Sequence, residues 1–135
     1  MILLIDYFGP WENHEDLTDE RRANAIIMLD KVNLLLDESA RFDVDLIENP
    51  ATGTYISGQK YGGFRPQDCP QGAPTSSHKV GRGIDIYDPH NALDNWITDA
   101  RLEQFKLYRE KPIATPGWCH LTDRAPGSGR RSFLP

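Results

Sequence analysis

The sequence predicts a single α+β domain in which a small antiparallel sheet is flanked by helices. Three observations carry that expectation. Ala25, Ile26, Met28, Leu29, Val32, Leu35 and Leu36 recur at helical spacing. Ile84 and Ile86 alternate with Asp85 and Tyr87, the pattern of a strand with one buried face. Two shorter helical patterns then separate that strand from another, Gly117 to Thr122. A chain of 135 residues can close one core without disulfides. Neither an internal repeat nor a linker divides it.

Met1 to Asp6 is apolar for a short stretch and has no cationic lead, so it reads as an edge or core strand rather than a signal peptide. Gly9-Pro10-Trp11 marks a turn. Thr18 is placed to cap the long helix, with Asp16 and Asp19 as competitors, and the helical pattern runs to about Ser39. Val44, Leu46 and Ile47 predict a short strand, Asn49 to Gly53 a turn, and Tyr55 to Ser57 the start of a further strand. Gly58 to Ser77 is rich in glycine and proline and poor in aliphatics. Loops of that length inside a small domain are usually functional or disordered. Asp88-Pro89 opens a helical segment through Ala92, Leu93, Trp96 and Ile97, and Asp99 to Tyr108 is read as a second, carrying Leu102, Phe105 and Leu107. Pro126 to Arg131 is a loop before Phe133.

Fifteen Lys and Arg against 20 Asp and Glu give a formal charge of −5. That balance argues against general binding to nucleic acid or anionic membrane, while leaving room for a local basic cleft. No apolar run reaches the length of a membrane span. The expectation is a monomer made in the cytoplasm. Cys69 and Cys119 form no CxxC pair and read as reduced, partly buried thiols.

The chemistry concentrates in Ser76-Ser77-His78-Lys79-Val80-Gly81-Arg82-Gly83-Ile84-Asp85 and Trp118-Cys119-His120. Two imidazoles and one carboxylate are the kind of ligand set a catalytic zinc takes when one position stays open, whereas closed structural sites are richer in cysteine. Gly81 and Gly83 let the backbone turn sharply between His78 and Asp85. Alternation sets Asp85 opposite Ile84 and Ile86, and His120 opposite Cys119 and Leu121. If the two strands pair, Asp85 and His120 converge on one ion while His78 arrives from the loop.

The first segment resembles the SxHxxGxAxD motif of the zinc D-alanyl-D-alanine carboxypeptidase family, with Gly83 in place of the alanine. That family includes vancomycin-resistance dipeptidases and phage L-alanyl-D-glutamate endolysins, and its fold is related to hedgehog domains. Trp118-Cys119-His120 resembles the family's WxH ending, and Gly62-Gly63-Phe64-Arg65-Pro66 its GFRP segment. The pieces stand in family order over about half of the chain. The resemblance implies zinc held by His78, Asp85 and His120. It implies that Arg65 binds a substrate carboxylate or steadies the carbonyl oxygen, for which a planar, permanently ionised fork is suited. Ser76 would hydrogen-bond substrate or orient His78, or serve only the turn. The implied partner is a peptidoglycan peptide, reached from the cytoplasm by holin-type release or carried on a virion.

Many members of that family carry an acidic residue three positions before the last histidine, acting as general base. Here that position is Gly117. A peptidase needs a group that carries a proton to the leaving amine. Glu110 and Asp123 are the nearest carboxylates, and Glu110 is preferred because alternation turns Asp123 away from His120. His90 and His14 are read as a helix-start residue and a surface residue. Two classes of function therefore stand: a zinc peptidase acting on peptidoglycan stem peptides, and a non-catalytic zinc-binding domain of the same fold.

Overall fold

The computed structural model describes all 135 residues. Four short strands form one sheet in the order β1-β3-β2-β4. These are β1 (Gly83–Tyr87), β2 (Tyr108–Glu110), β3 (Trp118–Thr122) and β4 (Ser132–Phe133). β3 pairs antiparallel with both β1 and β2. β4 runs parallel to β2, so the expected all-antiparallel sheet is mixed at one edge.

The long helix α2 (Asp19–Arg41) packs Ala25, Met28, Leu29, Val32, Leu35 and Leu36 into the core. Thr18 caps it, its hydroxyl accepting from the Arg21 amide at 3.3 Å. Ile26 belongs to the predicted apolar stripe but stands exposed, one step off the buried face. Ile84, Ile86, Cys119 and Leu121 cover the sheet face that meets this core.

Three predicted strands are absent. The N-terminus forms a short helix, α1 (Leu4–Phe8), in which Leu4, Tyr7 and Phe8 turn toward the core while Ile5 stays exposed. That spacing is helical, not alternating. Val44 to Ile47 finds no partner strand; the Val44 amide and carbonyl both bond Ser39 at the end of α2. Ile56 makes only an isolated bridge to Ile86, which with Tyr55 and Ser57 covers the outer edge of β1. The segment read as a helix to Tyr108 stops at Gln104 (α4, Asp99–Gln104), and Lys106 takes a positive φ before β2 begins.

Between β1 and α4 lies α3 (Ala92–Trp96). Its nominal cap, Asn91, makes no capping bond. Instead the buried Asp88 carboxylate accepts from the Leu93 and Asp94 amides at 3.1 and 3.0 Å. Asp88→Ala is expected to cost about 1–2 kcal/mol, the range for lost caps. Thermal unfolding would register that as a melting point lower by roughly 3–8 °C. Both cysteines are free and buried. No helix is long and apolar enough to cross a membrane.

Candidate metal centre

β1 and β3 pair in a register that sets Asp85 directly against His120. Opposed residues of paired strands share a sheet face, so both side chains leave the face opposite the core. His78 comes from a single 3₁₀ turn, Ser77–Val80, just before β1. Ser76 caps that turn, its hydroxyl accepting from the His78 amide at 3.3 Å, and so fixes the backbone that carries the ring. Gly81 ends the turn at φ 75°, a left-handed conformation that suits glycine.

The three side chains converge as the sequence predicts. Asp85 Oδ1 lies 2.7 Å from His120 Nδ1 and 3.3 Å from His78 Nε2. One ligand atom from each residue falls within 4.8 Å of the others. All three residues are buried, at 3 % exposure for His78, 8 % for Asp85 and 4 % for His120. Burial pushes the His78 imidazole below its ordinary pKa despite the carboxylate beside it. Burial alone would raise Asp85, but the charge of His78 and hydrogen bonds from both rings hold its carboxyl well below the usual range. Burial would depress His120, yet the hydrogen bond and charge of Asp85, with Glu110 beyond, leave it raised.

The donor set fits a metal ion. His78 Nδ1 lies 2.8 Å from the Gly63 carbonyl, an acceptor for its N–H, and this orients the ring so that Nε2 faces Asp85. Asp85 uses one oxygen toward the rings and is held through the other by Arg65 Nη2 at 3.2 Å. Supporting bonds of this type orient the groups that meet a metal. The cluster can hold a metal ion, and two nitrogens with one oxygen suit zinc among other first-row metals.

The cluster lies on the floor of an open cleft of about 680 Å³. Arg65, Ser76, Glu110 and Trp118 line the same cleft. Glu110 is not on a loop, as its sequence context predicts, but ends β2. Arg109 pairs with Leu121 there, and continuing that register by one residue sets Glu110 beside His120. Asp85, His120 and Glu110 thus form one row across β1, β3 and β2. Asp123 is committed elsewhere: Arg82 holds its carboxylate at 2.8 Å and Lys31 at 3.5 Å. Gly117 adopts φ 89°, a backbone conformation in which an acidic side chain would be strained. His90 is exposed, and His14 stands near Trp11 and Asp16, both outside the cleft.

Arg65 is more constrained than its loop position implies. Its Nε donates to the Tyr61 carbonyl at 2.7 Å, and the side chain is 11 % exposed. Sequence reasoning missed Arg124, which lies beyond β3, lines the cleft and crosses to the Thr75 carbonyl. It also missed the Gly63 carbonyl as the partner of His78. A backbone acceptor leaves no mark in the residue types.

Comparison with protein-family models, curated proteins and solved structures matches this chain to none of them.

Proposed function

We propose that this chain is a zinc-dependent hydrolase of an amide bond in peptidoglycan stem peptides, related to the zinc D-alanyl-D-alanine carboxypeptidases. The observation that carries the reading is the buried His78–Asp85–His120 cluster on the floor of an open cleft, with Glu110 in the adjoining strand position. The ordered resemblance of Gly62–Pro66, Ser76–Asp85 and Trp118–His120 to that family supplies the substrate class.

His78, Asp85 and His120 would hold the ion. When bound, zinc supplies Lewis acidity toward a carbonyl oxygen and toward water. Glu110 is the proton carrier: its carboxylate takes a proton from the attacking water and gives it to the departing amide nitrogen. Arg65 braces Asp85, and its charge would steady the oxygen that becomes negative as the carbonyl is attacked. Ser76 holds the His78 turn.

The glycine at position 117 supports a second reading, a metal-binding domain without catalysis, since it removes the acid from the place the family uses. One assay separates the two. Purified protein with zinc is expected to release soluble fragments from peptidoglycan, and mass analysis of those fragments names the bond. Glu110→Ala should slow release by roughly 10²–10⁴-fold, the usual share of a general acid–base group, with metal affinity retained. Near-normal turnover in that variant removes Glu110 from the mechanism. Zinc-loaded, folded protein that leaves peptidoglycan untouched supports the non-catalytic reading.

A further inference from the structure

Two arginines line the cleft, and they are not equivalent. Arg65 has a carboxylate partner in Asp85 at 3.2 Å and a backbone acceptor in Tyr61 at 2.7 Å. Arg124 has no carboxylate within ion-pair distance. Its guanidinium donates to the Thr75 carbonyl, an uncharged acceptor, and the adjacent Asp123 is consumed by Arg82 and Lys31.

Arg124 is nonetheless held in place. Its amide donates to the Thr122 hydroxyl at 3.1 Å, and that buried hydroxyl donates in turn to the Arg82 carbonyl at 2.6 Å. The side chain then reaches from the end of β3 to the 65–77 loop. A guanidinium carries five N–H donors, so the bond to Thr75 leaves most of them for a ligand. Partial burial, and then the charge of Arg82, pull it below its ordinary pKa, as expected of a cation without a counter-charge. Glu110 enters the same cleft from a different element, β2. With Arg65 and Asp85 paired to each other, the remaining side-chain charges of the cleft are an uncompensated cation beside the loop and a carboxylate beside His120.

We propose that Arg124 is the anion receptor of this cleft and selects ligands that present a free carboxylate to the Thr75–Arg124 wall. This deepens the hydrolase reading and rests on it for the ligand being a peptide. Paired planar N–H groups match a carboxylate's two oxygens, and bonds between charged partners are the stronger kind. A stem peptide with a free carboxylate near the scissile amide would be oriented by Arg124, leaving Glu110 for the reacting bond.

The test uses zinc-loaded protein titrated with N-acetyl-L-alanyl-D-glutamate and with its bis-amide, followed by the Nε–H signal of Arg124 in ¹⁵N-labelled protein and by equilibrium affinity. The acid is expected to bind roughly 10- to 100-fold more tightly than the amide and to shift that signal. Arg124→Gln should erase the preference, Arg124→Lys should keep part of it, and zinc affinity in both should stay within about twofold, which shows the cluster intact. A preference for the acid that survives in Arg124→Gln overturns the subsite, because the carboxylate is then held elsewhere. Equal weakening of acid and amide also overturns it. If peptidoglycan is not hydrolysed while the Arg124-dependent preference persists, the hydrolase reading fails and the subsite stands. Hydrolysis with no such preference has the opposite meaning.

Discussion

His120→Ala is expected to abolish tight metal binding and, with it, the proposed hydrolysis of peptidoglycan. His120 is the central member of the row Asp85–His120–Glu110, and its Nδ1 is 2.7 Å from Asp85 Oδ1. Loss of a group that only supports a ligand typically costs 10- to 100-fold in metal affinity, so loss of a ligand itself should exceed that range. His78→Ala and Asp85→Ala should behave alike, each removing one member of the three-atom set. Competition against a chromophoric chelator measures the affinity. Unfolding gives a second readout that does not depend on activity. Metal at about a thousand times its dissociation constant stabilises the native state by about 4 kcal/mol. For a domain of this size that is on the order of 10–15 °C in melting temperature. The wild-type protein should show this rise with zinc and lose it with chelator, while the His120→Ala variant should show neither. An equal zinc-dependent rise in wild type and variant would mean that the ion binds elsewhere.

The parts of the fold visible in the sequence are those where one residue's pattern reports its own environment. Alternation around Ile84 and Ile86 placed Asp85 on the open face, and the same logic separated His120 from Cys119. The buried stripe of α2 followed from its spacing, except at Ile26. What could not be read depends on partners distant in the chain. Tyr108-Arg109-Glu110 has no apolar alternation; it is a strand because β3 offers its edge on one side and the C-terminal residues pair on the other. Arg109 is tolerated there because Asp94 at 3.3 Å and the Ser132 hydroxyl at 3.0 Å hold its guanidinium. The choice of Glu110 over Asp123 came from alternation, but its position beside His120 follows from a pairing that the sequence does not signal. The apolar start at Met1 misled for a related reason. A run of five apolar residues fits a strand or a helix equally until something is known of what it packs against.

Gly63→Ala should be the most damaging single change outside the cluster, lowering stability by about 3 kcal/mol and weakening zinc by 10- to 100-fold together. An added Cβ at Gly63 would stand 1.9 Å from the Tyr7 carbonyl oxygen, a backbone atom that no rotamer change can move aside. The close approach has a purpose. The Tyr7 carbonyl accepts from the Phe64 amide at 3.0 Å, and the buried Tyr7 hydroxyl donates to the Gly83 carbonyl at 2.9 Å. Gly62 accepts from the Asp85 amide at 2.7 Å, Gly63 holds His78 Nδ1, and the Arg65 amide donates to the His78 carbonyl at 3.2 Å. One short segment therefore ties α1 to two of the three residues of the candidate metal cluster. Pushing it away from Tyr7 must tilt His78 and release Asp85 from its brace. Denaturant unfolding of the metal-free protein gives the first effect, and zinc competition on the folded fraction gives the second. Gly127→Ala is the control, because a Cβ there meets nothing within 4 Å and its backbone is not left-handed, so its stability should match the wild type. A Gly63→Ala protein that loses stability but binds zinc normally would show that the loop supports the fold without positioning the site.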